Sequence, residues 1–119
     1  MAALERPDRI CRVVEGPTGL YGYALGWAGG GISELTRIAV LPEGRREGRG
    51  RALLADFHAA AVQADAEECW LEVRADNMPA QALYHREGYQ PTGRRRAYYS
   101  DGTDAILMTR SLQLLAVRL

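Results

Sequence analysis

Apolar and polar positions follow two rhythms along this chain, strand-like at first and then mixed. Segments Ile10–Val14 and Leu20–Trp27 read as strands joined by the turn signal "EGPTG". The run "WAGGGISE" reads as a flexible hairpin connection, and "ELTRIAV", Glu34–Val40, alternates well enough for a third strand that Pro42 closes. From Gly50 to about Ala66 the period lengthens. Leu53, Leu54, Phe57, Ala61 and Ala64 recur at spacings of three and four, which places them on one stripe of a helix.

Segment Cys69–Arg74, "CWLEVR", predicts another strand, and "ADNMP" a helix entry. Asn77 suits the N-cap and Pro79 the first turn. Ala80, Leu83 and Tyr84 share one face of that helix, which Gly88 is placed to stop. Two further strands are expected at Arg94–Tyr99 and Ala105–Leu112, on either side of the turn "SDGTD". The pattern as a whole predicts a single α+β domain over residues 1–119, built on a mainly antiparallel sheet.

Composition narrows the chemistry. The chain has 119 residues, and its fifteen basic groups, all arginine, balance fifteen acidic ones. Zero net charge argues against indiscriminate nucleic-acid binding, and the triplet Arg94-Arg95-Arg96 reads as a solvated strand end. The absence of lysine excludes a Walker-type phosphate loop and a Schiff-base enzyme. Two histidines, His58 and His85, are too few for a multi-histidine metal site, and no metal is expected. Cys11 and Cys69 lie far apart and are expected to be buried thiols. The opening "MAALERPDRI" has no apolar signal core. No stretch approaches the ~18 apolar residues that a spanning helix needs, so a cytoplasmic location off the membrane is expected.

The informative stretch is Arg45-Arg46-Glu47-Gly48-Arg49-Gly50-Arg51, after a strand and at a helix start. Glycines let a ligand approach the backbone, a helix start offers N–H groups to an anion, and arginines add charge-assisted bonds. Leu53 stands where a dinucleotide fingerprint needs its third glycine. A small pyrophosphate-bearing cofactor suits the loop; a solvated turn that merely caps a helix is the other reading of the same residues.

With Arg45, Gly48 and Gly50 in place, the loop resembles the Q/R-x-x-G-x-G/A motif of the GNAT family of N-acetyltransferases. The longer strings "IAVLPEGRREGRGRALL" and "WLEVRADNMPAQALYHREGYQPTGRRRAYYSDGTDAILM" resemble its ribosomal-protein-alanine N-acetyltransferase branch from about Leu20 to Arg110. The resemblance implies a GNAT-type fold and an enzyme that moves an acetyl group from acetyl-CoA to an amine, foremost the N-terminal alanine of a ribosomal protein. It implies that Ile38, Ala39 and Val40 present backbone groups to the pantetheine arm. The pyrophosphate would sit on the loop Arg46, Glu47, Gly48, Arg49, Gly50 and Arg51, with Arg45 at the first motif position and Asn77 as a further cofactor contact. Glu72 would be the general base and Tyr84 the general acid in a direct attack.

Elementary chemistry agrees. An α-amine, with a pKa of about 7.7–8.0 against about 10.4 for lysine, needs only modest help from a carboxylate to attack a thioester near neutral pH. The departing thiolate needs a proton, which a tyrosine hydroxyl can supply. By pattern alone Glu72 also reads as a surface carboxylate of an edge strand, Tyr84 as a core aromatic and Asn77 as a simple N-cap. Transfer to a small-molecule amine or a lysine side chain, and a non-catalytic acetyl-CoA-binding module, are the alternative functions.

The family normally opens with a strand and two helices that help wall the acceptor site, and "GYALGWA" arrives too early to leave room for them. A late start, a wall supplied by a second subunit, or altered specificity would each account for that. An uncovered sheet face predicts self-association as a homo-oligomer, with the apolar tail Leu112–Leu119 as a candidate contact.

Overall fold

A computed structural model describes residues 8–17, 19–42 and 48–113. In chain order these form β1 (Asp8–Gly16), β2 (Gly19–Gly29), β3 (Ile32–Val40), α1 (Arg49–Gln63), β4 (Glu68–Arg74), α2 (Met78–Arg86), β5 (Gln90–Arg95) and β6 (Ala105–Ser111). The strands make one mixed sheet in the order β1-β2-β3-β4-β6-β5, antiparallel everywhere except between β3 and β4. The expected α+β architecture on a mainly antiparallel sheet is therefore present.

The β2–β3 hairpin turns on Gly30 and Gly31, with φ of 64° and 89°. Two successive positive φ values suit the right-handed twist of the flanking strands, and glycine reaches them without strain. The apolar stripe of α1 packs as the spacing predicts: Leu53, Leu54, Phe57 and Ala61 are buried against Ala24, Leu35, Leu71 and Val73 in one core. Tyr84 of α2, Tyr89, Met108 and Leu112 close the same core.

The irregularity that matters lies in the middle of β3. Leu25 pairs with Arg37 while its neighbour Gly26 pairs with Leu35, which leaves Thr36 as a bulge residue. The Thr36 hydroxyl donates to the Leu25 carbonyl at 3.0 Å. A bulge bends its strand and sharpens the twist. Accordingly the parallel ladder between β3 and β4 runs from Ile32 and Glu68 only as far as Leu35 and Leu71. Beyond that point the two strands diverge.

Several expectations need correction. The strand expected at Arg94–Tyr99 is β5, Gln90–Arg95, and the chain from Ala97 onward is a turn. Aspartate side chains take the backbone there away from the ladder: Asp104 accepts from Ala97 N at 2.8 Å and Asp101 from Thr103 N at 3.0 Å. Pro91 is tolerated because β5 is an edge strand. Cys11 is exposed rather than buried, because β1 is the other edge and its odd positions face away from α1; Cys69 is buried as expected. Leu112, named as the first residue of the apolar tail offered for self-association, is instead fully buried in this chain's own core and donates its N–H to the Glu67 carbonyl at 2.8 Å. The rest of that tail lies outside the described residues.

Candidate active site

The divergence of β3 from β4 opens a cleft of about 1000 Å³. Ile38, Ala39 and Val40 form one wall, the start of α1 at Gly48, Gly50 and Arg51 a second, and α2 with Asn77, Ala80, Leu83 and Tyr84 the third. A smaller cavity of about 390 Å³ lies beside it and shares Ile38, Asn77, Ala80 and Tyr84 with it. Its other walls include Thr36, Arg37, Leu71, Glu72, Arg74 and Tyr99. The wedge between the strands is thus one region with two chambers, and Tyr84 stands between them.

The loop side of the cleft is built for an anion. Gly48 caps α1 at φ 72°, and the first helical hydrogen bond runs from Ala52 N to Gly48 O at 3.0 Å. The N–H groups of Gly50 and Arg51 precede that bond, so they belong to the open end of the helix, where the dipole is positive. A Cβ at Gly50 would come within 3.8 Å of Val40 Cγ2. With glycine there, the wall is bare backbone. These features fit the phosphates and the thin arm of a coenzyme A-type molecule. Arg51 reaches across to Glu87, the C-cap of α2, and pairs with it at 3.1 Å. Arg49 leaves the cleft and lies 4.2 Å over the Tyr21 ring. Arg45, Arg46 and Glu47 lie outside the described residues.

On α2, Asn77 combines two tasks. Its Oδ1 accepts from Ala80 N at 3.1 Å, which caps the helix, and the residue also lines both chambers. Gln81 ties the β4–α2 connection down, donating to the carbonyls of Arg74 and Ala75 at 3.0 and 3.1 Å. Tyr84 is buried, and burial pushes its hydroxyl pKa up, with a smaller push from Cys69. The phenol therefore stays protonated, as a proton donor must.

Glu72 follows Leu71, the last residue in register with β3, and so stands at the mouth of the divergence. Strand alternation puts its side chain on the face of Trp70, opposite Leu71 and Val73, and in the smaller chamber. Its Oε2 accepts a short hydrogen bond from Arg95 Nε. The neighbouring arginines are held by other acids. Arg94 pairs with Asp104 at 2.7 Å, and Arg74 binds Asp76, Asp101 and Thr103 at 3.1, 2.5 and 3.0 Å while stacking on Tyr99. These contacts hold the β5–β6 turn beside the end of β4.

Beneath the site lies a buried polar knot. His58 Nε2 and the Tyr89 hydroxyl are 2.6 Å apart, and Arg110 Nη1 lies 3.3 Å from His58 Nδ1. A guanidinium only donates, so Nδ1 accepts and Nε2 carries the imidazole proton toward Tyr89. Burial, then Arg110, lowers the His58 pKa to about 4, which keeps it neutral. Arg110 also donates to the Glu87 carbonyl at 2.8 Å, and Tyr89 meets Tyr84 edge-on at 5.8 Å. The knot thereby fixes the end of α2 behind Tyr84. Sequence reasoning missed it, along with Arg74 and Arg95: partners 31 or 23 residues apart leave no local spacing signal.

Comparison with known proteins agrees with this architecture. Residues 3–89 match the acetyltransferase (GNAT) family, and the chain belongs to it. It is therefore an enzyme of the acetyltransferase class. It is 39% identical, over 88% of its own length and 70% of the relative's, to the Bacillus subtilis (strain 168) protein named "Putative [ribosomal protein bS18]-alanine N-acetyltransferase". The crystal structure of the Escherichia coli ribosomal-protein-S18-alanine N-acetyltransferase superposes with a TM-score of 0.81 at 32% identity, covering 91% of this chain and 72% of that one. Nourseothricin acetyltransferase gives 0.84 at 34% identity, covering 89% and 66%. Against three curated relatives the chain spans 70%, 56% and 46% of their lengths. Among the described residues no helix is long and apolar enough to cross a membrane.

Proposed function

We propose that this chain transfers the acetyl group of acetyl-CoA to an amine, foremost the α-amine of an N-terminal alanine on a ribosomal protein. The observation that carries the reading is the pair of chambers meeting at Tyr84, one walled by helix-start backbone, the other by Glu72. Acetyl-CoA would supply an activated thioester. Gly48, Gly50 and Arg51 would hold its phosphates, the open edge of Ile38–Val40 its amide-bearing arm, and Asn77 a further part of the same arm.

The acceptor enters the smaller chamber as an ammonium, where Glu72 takes its proton. The freed nitrogen bonds to the acetyl carbonyl carbon while the carbon–sulfur bond breaks. Tyr84, kept protonated by burial, gives its proton to the departing sulfur, and the surplus proton that the nitrogen sheds as the amide forms restores the phenol. No side chain forms a bond to the acetyl group. An α-amine suits a lone carboxylate base better than lysine does, because its pKa lies about 2.5 units lower. The names of the B. subtilis and E. coli relatives support the alanine terminus.

A small-molecule amine is the second reading, favoured by the likeness to nourseothricin acetyltransferase. Mass spectrometry of peptides incubated with protein and acetyl-CoA separates the two. The panel holds free alanine, free serine and blocked termini, some with internal lysine, beside nourseothricin and simple primary amines. One acetyl group on the free alanine terminus alone is expected. Transfer only to the small amines would replace the first reading with the second, and binding of acetyl-CoA without transfer to anything would leave a cofactor-binding module.

A further inference from the structure

The carboxylate assigned above as the base is already occupied. Arg95 Nε donates to Glu72 Oε2. The two partners are unequal: the Glu72 side chain is 19% exposed and the Arg95 side chain 60%. The carboxylate is thus fixed in the strand, while the guanidinium reaches it from solvent at the last residue of β5. Two of the neighbouring arginines are held by other acids. Arg94 is held by Asp104, and Arg74 by Asp76 and Asp101. Arg95 alone in the arginine triplet engages Glu72, and while it does so its guanidinium carbon also lies 5.8 Å from the centre of the Tyr98 ring.

We propose that Arg95 is an acceptor gate, its guanidinium standing in for the acceptor's ammonium on Glu72 until a cationic amine displaces it. The inference rests on the reading of Glu72 as base. An ammonium that replaces a guanidinium keeps the carboxylate compensated throughout, so exchange costs little. A neutral hydroxyl acceptor offers no charge in return and leaves Arg95 in place. Arg95 thereby selects for amines that arrive protonated. It touches no reacting atom and acts only by occupying Glu72.

The test compares wild type with Arg95→Ala, Arg95→Gln (which keeps the side-chain stem) and Arg96→Ala as an exposed control. Kinetics use an alanine-terminated peptide. Exposed ion pairs of this kind are worth a factor of roughly two to five, so both Arg95 variants should lower the acceptor KM by roughly two- to fivefold. The KM for acetyl-CoA and kcat should stay as in wild type, and Arg96→Ala should change nothing. A raised acceptor KM in the Arg95 variants would make Arg95 a binding residue, and a fall in kcat at constant KM would make it a positioning residue; either overturns the gate.

A second arm needs no turnover. With coenzyme A bound, the Arg95 Nε–H resonance is followed by NMR as peptide is added. It should move with a free amino terminus and stay still with an acetylated one; no movement with either rejects displacement. If wild type transfers acetyl to nothing, the proposed function fails, and the resonance still decides whether an amine displaces Arg95.

Discussion

The seam between β3 and β4 has two halves of opposite character. In the first, residues 32–35 pair with residues 68–71, and the inward side chains Ser33, Leu35, Cys69 and Leu71 are buried. Even the polar groups are satisfied, with the Ser33 hydroxyl donating to the Glu68 carbonyl at 2.9 Å. In the second half, past the Thr36 bulge, Ile38–Val40 and Glu72–Arg74 turn from each other toward the chambers. The same two strands therefore serve as core and as cleft. One extra residue in the ladder separates the roles, and a strand edge without a partner, costly elsewhere, becomes a place for a ligand.

Substitutions on either side of the bulge should separate stability from chemistry. Leu71→Ala, in the paired half, removes a fully buried side chain and should cost about 2–5 kcal/mol in denaturant unfolding. Ile38→Ala, half-buried in the open half, should cost clearly less and weaken cofactor binding instead. Equal losses of stability at both positions would erase the distinction.

Acid should strike the closed side next. His58 ionises at about 4 when folded, against the usual ~6.5 of an unfolded chain. Between those values the unfolded chain takes up a proton that the folded one refuses, so stability falls as pH drops from about 6.5 to about 4 and levels off below. The loss from this group approaches about 3 kcal/mol. His58→Gln should flatten that part of the pH–stability curve measured by chemical denaturation; an unchanged slope would place the titration elsewhere.

The smallest effect belongs to Asn77→Ala. Loss of the cap to Ala80 N should cost about 1 kcal/mol. Calorimetric titration should show weaker acetyl-CoA binding as well, and unchanged affinity would leave Asn77 as a cap alone.

How much of this was legible in the chain itself follows from the range of each interaction. The α1 stripe, the Asn77 cap and Gly88, which ends α2 at φ 97°, are local, and the sequence shows them within a few residues. So is the match of Gly48 and Gly50 to a phosphate loop. The strand expected at Arg94–Tyr99 went astray because Tyr98 and Tyr99 look strand-like, while the aspartates that bind the turn backbone act from further along. Cys11 looks like any buried thiol until β1 is known to be an edge. The ties of Arg95 to Glu72 and of His58 to Tyr89 join residues that only the completed sheet brings together.

The most direct test of the account is Glu72→Gln, measured for acetyl transfer to an alanine-terminated peptide and, separately, for acetyl-CoA binding. A neutral amide keeps the shape but cannot take a proton, so the rate should fall by roughly 10²–10⁴-fold with cofactor affinity unchanged. A variant that turns over at the wild-type rate would contradict the assignment of Glu72 as the base, and with it the role given to the open half of the seam.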